Sequence, residues 1–300
     1  MHSKYRRPVG GLRSTIQSMI LMLAACTIGL IAAGPARGQT QPTKMPPLAS
    51  SSTVADRQAA IPAPGSWSAS LGAGALVAPA FPGAKTFIVT PAPLPDISYR
   101  AALLALDTIF LNTRDGLGVV FLRAGPFSAG GSIGVSFGRR ESWALYQLAG
   151  MGDIDAAPRG SLFLRADIDV FGLSLQADRA FGNQNGTTVT FEGTVRQRIV
   201  PSITLIATAG VTWADSRYMQ QWFGVDSVQS SNSTLRFPVY QPGSGLRSVS
   251  GSLTGVYGLS RSWSIMATAG ITQLLGDAAN SPIVETPTQP FGLLGLSYKF

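Results

Sequence analysis

Residues 187–214 read TTVTFEGTVRQRIVPSITLIATAGVTWA. Up to Val200, Val189, Phe191, Val195 and Ile199 fall on one side, against Thr188, Thr190, Glu192, Thr194, Arg196 and Arg198 on the other. Beyond Pro201, Ile203, Leu205, Ala207, Ala209, Val211 and Trp213 share a side opposite Thr204, Thr208 and Thr212. A period of two is the signature of an extended strand with one apolar and one polar face. Each run is about 10–13 residues long, which suits a tilted membrane-crossing strand better than the ~5–6 residues of an ordinary sheet strand.

The same alternation extends in both directions. Leu162, Leu164, Ala166, Ile168 and Val170 oppose Ser161, Phe163, Arg165, Asp167 and Asp169, and Leu173, Leu175 and Ala177 oppose Ser174, Gln176 and Asp178. Near the end, Trp263, Ile265, Ala267, Ala269 and Ile271 oppose Ser262, Ser264, Thr268 and Thr272. Turn signals such as Phe171-Gly172, Asn185-Gly186 and Val200-Pro201 separate the runs. Strands are expected near 66–78, 87–100, 104–113, 116–124, 127–138, 159–171, 172–182, 187–199, 202–214, 245–258, 262–275 and 290–300. That is an all-β, antiparallel up-and-down transmembrane barrel of about 12 strands, with 10 as the alternative because bacterial barrels favour even numbers. A secreted sandwich also alternates. Against it stand the run lengths and the aromatics near run ends (Trp67, Tyr99, Trp143, Trp213, Trp222, Tyr257, Trp263, Tyr298). In lipid every backbone polar group needs a partner within the protein, so such a chain can cross only as a closed barrel.

A barrel of this size has a narrow interior that side chains and loops can largely fill. Its inner face is expected to carry Arg165, Asp167, Asp169, Asp178, Glu192, Arg196 and Arg198. Mixed signs suggest internal ion pairs that plug the lumen; a selective solute path is the alternative.

Composition agrees. Hydrophobic residues make up 45% and charged residues 13%, with 34 glycines. The net charge of +8 misleads, because Lys4, Arg6, Arg7, Arg13 and Arg37 lie in residues 1–38, which hold no acid. Without them, 18 of the 23 cations face 15 acids, and no basic stripe for nucleic acid remains. Residues 1–38 have the layout of a signal peptide: a basic start, the apolar run Ile16–Ala33, and Ala36-Arg37-Gly38 before Gln39. Leu23-Ala24-Ala25-Cys26 offers lipidation of Cys26 as an alternative. Residues 39–65, rich in proline, serine and alanine, read as a linker, and 66–300 as the barrel.

Cleavage before Gln39 would remove Cys26 and His2, the only cysteine and histidine. Without them no Ser-His-Asp or Cys-His arrangement can be built, and zinc and haem sites lose their usual ligands. No catalytic residue, metal or cofactor is expected. Asp153 and Asp155 could in principle form a general acid–base pair, but Gly-Asp-Ile-Asp in a loop is more simply a turn with solvated acids.

Certain motifs occur in order along 66–300. They are Leu71-Gly72-Ala73-Gly74, Pro79-Ala80-Phe81-Pro82-Gly83, Pro93-Leu94-Pro95 with Ser98-Tyr99-Arg100, Gly116-Leu117-Gly118, Leu148–Asp155, Tyr218-Met219 with Trp222–Val225, Leu275-Gly276-Asp277, Ser281-Pro282-Ile283 and Gly295–Phe300. In these the chain resembles the MipA/OmpV family of outer-membrane proteins. One departure is the apolar run Ala101–Leu106, where a polar hairpin turn is expected. Gly295, Tyr298 and Phe300 look like the signal read by barrel-assembly machinery. The resemblance implies an integral outer-membrane protein without enzymatic activity. One member of the family bridges a murein-degrading transglycosylase and a murein polymerase, so the expected partners are outer-membrane lipid, the assembly machinery, a murein hydrolase and a murein synthase. Other members are adhesins or porin-like proteins, which leaves a narrow solute channel or a surface adhesin as alternatives. Binding sites concentrate in long connections, so Gly150, Asp153, Asp155, Tyr218 and Trp222 are candidate partner-loop residues, with plugging or bracing the barrel rim as the competing role.

Overall fold

The computed structural model describes residues 64–103 and 106–300; the expected signal peptide with Cys26, and the expected linker up to residue 63, lie outside them. The strands are β1 (Trp67–Pro79), β2 (Phe87–Pro93), β3 (Asp96–Leu103), β4 (Leu106–Asn112), β5 (Gly116–Ala124), β6 (Phe127–Ser136) and β7 (Ala157–Ile168). There follow β8 (Phe171–Ala180), β9 (Gly186–Val200), β10 (Ile203–Ala214), β11 (Gly245–Gly258), β12 (Trp263–Leu274) and β13 (Thr288–Lys299). Each pairs antiparallel with its neighbour, and β13 closes the ring on β1, from Ser70 opposite Lys299 to Val77 opposite Gly292.

β2 and β3 lie end to end along β1, which faces Phe87–Pro93 with its later half and Asp96–Tyr99 with its first. The wall is therefore a closed ring of twelve strands plus one extra strand, β2. The single strand expected at 87–100 is broken at Leu94-Pro95, because proline has no N–H to continue a ladder. The apolar run Ala101–Leu106 does hold a chain reversal, for Leu103 pairs with Leu106.

The two faces differ as the alternation requires. Leu162, Leu164, Ile133 and Leu294 point outward and are 66%, 58%, 66% and 61% exposed, members of a band far larger than water tolerates on a monomer. Inside, hydroxyls pair across strands: Thr254 with Thr268 at 2.8 Å, Ser264 with Ser297 at 2.8 Å, and Thr190 with Thr212 at 3.2 Å. At the end bearing short turns, Trp67 packs on Tyr99 (centroids 4.7 Å apart), and Tyr298 packs between Trp263 and Phe300 (5.0 Å each). This is the aromatic girdle of a lipid boundary. The opposite end carries the long connections: L1 (80–86), L3 (137–156), L5 (215–244) and L6 (275–287).

Candidate functional site

Two regions hold nearly all the singular chemistry: a charged belt in the lumen and a packed cap over the loop end. The belt starts at the tip of the β4–β5 hairpin. Gly116, with φ of 83°, makes the tight reversal, and Asn112 caps the tip by accepting the Asp115 N–H at 2.7 Å. Asp115 is buried and meets Arg165 of β7 at 2.8 Å, while the Arg165 guanidinium lies 4.1 Å from the centroid of Phe163. Arg114 reaches past β6, β7 and β8 to Glu192 of β9. Asp178 accepts from Ser161 and from Gln176, and faces Arg159 at 3.6 Å. The expected inner-face charges are thus present at Arg165, Asp178 and Glu192, yet their partners are Asp115, Arg159 and Arg114. Arg196 and Arg198 face inward on β9 nearer the turn end and are engaged in contacts of their own. Asp167 sits exposed near the turn end of β7. Asp169 leaves the inner face altogether: the two-residue reversal between Ile168 and Phe171 needs a left-handed residue, and Asp169 supplies it with φ of 53°.

The cap is built from four connections. Phe81 and Ala84 of L1, Leu148 and Met151 of L3, Val225 of L5 and Ile283 of L6 form one buried cluster. Ile154 of L3, Met219, Trp222 and Phe223 of L5, Leu274 at the end of β12 and Ala278 of L6 form a second. Local sequence dictates the pieces. Asp215 accepts the Tyr218 N–H at 2.8 Å and so starts the helix Ser216–Phe223, whose buried side is Met219, Trp222 and Phe223. A reciprocal cap between Asp226 and Gln229 starts the next helix, Ser227–Asn232. Gly83, with φ of 106°, turns L1 so that its carbonyl accepts from Glu285 and Thr286, while Gln289 accepts the Gly83 N–H at 2.9 Å. Further ties are Gln229 to the Met151 carbonyl (2.8 Å), Ser281 to the Phe223 carbonyl (2.6 Å), Gln147 to the Ile283 carbonyl (2.9 Å) and Tyr240 to the Asp277 carbonyl (2.9 Å).

The candidate loop residues belong to this cap. Gly150, with φ of 84°, packs so tightly on the backbone of Asn232 that no side chain fits. Asp153 accepts the Glu141 N–H at 2.7 Å and an Arg140 N–H at 2.9 Å, and these bonds hold its carboxyl below the usual range. Asp155 meets the same Arg140 at 3.1 Å, so the two acids clamp one cation. Tyr218 accepts from Arg247 at 2.7 Å and stacks on Trp222, centroids 6.0 Å apart. Trp222 is buried and is no part of a girdle, because it faces the cap side of an amphipathic helix.

At the chain end, a Cβ on Gly295 would strike the Leu94 side chain in the lumen, Tyr298 lies in the aromatic girdle, and the Phe300 N–H donates to the Ala69 carbonyl at 3.1 Å.

Sequence reasoning missed Arg139. It is 1% exposed, exchanges both backbone hydrogen bonds with Ile154 (2.8 Å each), and reaches the Trp222 carbonyl at 3.4 Å at the negative end of the helix. Burial pulls its guanidinium down to about 10, with Asp153 and Glu141 opposing, so it stays charged at neutral pH. Gln184, also missed, is buried and bonds the Asp155 carbonyl at 2.6 Å and the Ser136 hydroxyl at 2.6 Å. Neither lies in an alternating run, the one signal that could have marked it.

Among solved structures the chain is similar to the KdgM porin, at 13% identity and a TM-score of 0.38 over 77% of this chain and 99% of that one. It is likewise similar to the COG4313 outer membrane channel from Pseudomonas putida F1, at 10% identity and a TM-score of 0.42 over 80% and 97%. No curated protein matches it. The family described as MltA-interacting protein MipA matches residues 71–300, from the early part of β1 to the last residue. The segments singled out in the sequence at Pro79–Gly83, Leu148–Asp155, Tyr218–Val225, Leu275–Asp277 and Ser281–Ile283 all fall within this range and contribute to the cap. With that match across the cap and all but the first residues of the wall, the chain belongs to the MipA family and is an integral β-barrel of the outer membrane.

Proposed function

We propose that the protein is a non-enzymatic scaffold, a closed outer-membrane barrel that anchors murein-degrading and murein-synthesising enzymes to the envelope. The observation that carries the reading is the cap: two apolar clusters drawn from four connections lie over the loop end, above a lumen crossed by ion pairs. A mouth closed in this way argues against a solute path and so favours the scaffold over the channel. Asp153 and Asp155, the pair weighed for an acid–base role, both serve Arg140. The family description names an MltA-interacting protein, which supports the choice of partners.

In outer-membrane barrels the short turns face the periplasm and the long loops face out. Murein enzymes would then be met by the turn end and by the linker expected at 39–65, which precedes β1 in the sequence, not by the cap, whose Gly150, Tyr218 and Trp222 serve as braces. The test is capture on the immobilised full barrel of a lytic transglycosylase and a murein polymerase. Retention of both, reduced by removing residues 39–63, is expected; retention of neither overturns the scaffold. In planar bilayers the same barrel should show no steady ion current, and a large stable current would favour the channel.

A further inference from the structure

The wall has one place where two strands should meet and do not. β4 ends at Asn112, opposite Asp96, so β2 pairs with β1 on one side and with no strand on the other among the described residues. Across the gap, the β5–β6 ladder stops at Leu117 opposite Ile133, while β6 continues upward paired only with β7 through Gly134, Val135 and Ser136. β4 spans 7 residues where β10 spans 12. At ~3.3 Å per residue the hairpin tip therefore stops roughly 16 Å short along the strand direction. Overhead, the segment 141–148 runs from β6 to L1, where Leu148 packs in the cluster that holds Phe81 and Ala84. The result is a notch bounded by β2, β6, the hairpin tip and L3.

An open strand edge in lipid is costly, because each bare N–H lacks a partner. The half of this edge nearer the hairpin tip has been stripped of donors. The Leu94 N–H donates to the Gly72 carbonyl and the Ala80 N–H to the Thr86 carbonyl, each at 2.9 Å, so even-numbered residues of β2 bond toward β1. Odd-numbered residues then bond toward the gap: Phe87 and Val89 keep their N–H groups near L1, while Pro91 and Pro93, followed by Pro95 just past the strand end, have none. The Pro93 carbonyl is met by the Thr113 hydroxyl at 2.7 Å. The prolines also disfavour pairing with a strand from another chain over that half, since added strands bind through such donors.

The rim is apolar: Phe87 and Val89 on β2, Leu117 on β5, and Val135 and Phe137 at the end of β6 are all exposed, Val89 at 68% and Phe137 at 79%. Polar groups at the sill turn away into the lumen, Asp115 to Arg165 and Arg114 to Glu192. Thr90 has the inward parity of Ile88 and Ala92, yet it is exposed.

We propose that this notch is a lateral opening between lumen and membrane, and that an acyl chain of a surrounding lipid occupies it against Ile88, Thr90 and Ala92. The barrel would thus hold a lipid tail partly inside its own wall, a binding site distinct from the cap and the scaffold role.

Spin labelling tests it. Cys26 is the only cysteine, so in a Cys26→Ser background a nitroxide is attached at Thr90→Cys, and separately at Ala92→Cys in case one label disturbs folding. Controls are Val211→Cys on the outer face and Thr208→Cys on the inner face of β10. In phosphatidylethanolamine–phosphatidylglycerol vesicles, collisions with lipid-soluble oxygen and with a water-soluble nickel chelate are compared. The opening predicts oxygen-dominated collisions at Thr90 and Ala92, several-fold above Thr208 and close to Val211. Chelate-dominated collisions would mean a water-filled slot. Shielding from both agents would mean that the chain itself fills the gap. Either result overturns the proposal.

Discussion

Replacing Phe223 by alanine is expected to destabilise the cap by about 3–5 kcal/mol, the usual loss when a fully buried phenyl leaves a cavity. Phe223 is 0% exposed, ends the helix Ser216–Phe223, and packs in the cluster of Ile154, Met219, Trp222, Leu274 and Ala278, which spans L3, L5 and the base of L6. Its carbonyl accepts from Ser281 at 2.6 Å, and that bond loses its rigid support when the ring is removed. The wall does not depend on the ring, because its ladders close without the loops. The variant should therefore remain a heat-modifiable barrel in gels while protease nicks L5 at temperatures where the wild type resists. Equal protease resistance in the two proteins would show that the cap does not fold as a unit.

A second large effect is expected from Gly138→Ala. Gly138 directly precedes the bridge between Arg139 and Ile154, and a Cβ there would be driven into the Ile154 carbonyl oxygen. Backbone cannot yield as a flexible side chain can, so the bridge must open, and with it the seat of buried Arg139 beneath Trp222. A loss of more than about 4 kcal/mol, rare for one methyl group, belongs to this class of backbone strain. Trypsin reads the result, because it cuts after Arg139 and Arg140 only if the local backbone is released. The variant should be cut within L3 while the wild type stays intact. Gly251→Ala, where a Cβ meets nothing within 4 Å, should behave as wild type.

Much of the wall could be read from the chain because burial on a two-sided sheet is periodic and local. From β7 to β10 each strand shows which residues meet lipid, and register follows from the turns. The break at Leu94-Pro95 could not be placed so simply, since an isolated proline fits either an edge or a bend. The inner charges were legible as a face but not as pairs. Arg165 meets Asp115 and Glu192 meets Arg114 only because a short hairpin tip folds into the lumen across several strands, a distance that alternation does not encode. Asp169 followed the period by parity but was claimed by its turn. The cap was least legible. Its motifs stand out in the sequence, yet Phe81, Met151, Trp222 and Ile283 come from connections far apart along the chain, and their meeting depends on the closure of the whole ring.

Amide hydrogen exchange over the cap addresses the central claim most directly. If L1, L3, L5 and L6 form one packed body, peptides covering Leu148–Asp155, Met219–Val225 and Ala278–Ile283 will exchange slowly and together, on a timescale approaching that of β10 and β11. Exchange of those peptides within seconds, at the rate of free loops, would contradict the account and return the mouth to an open state.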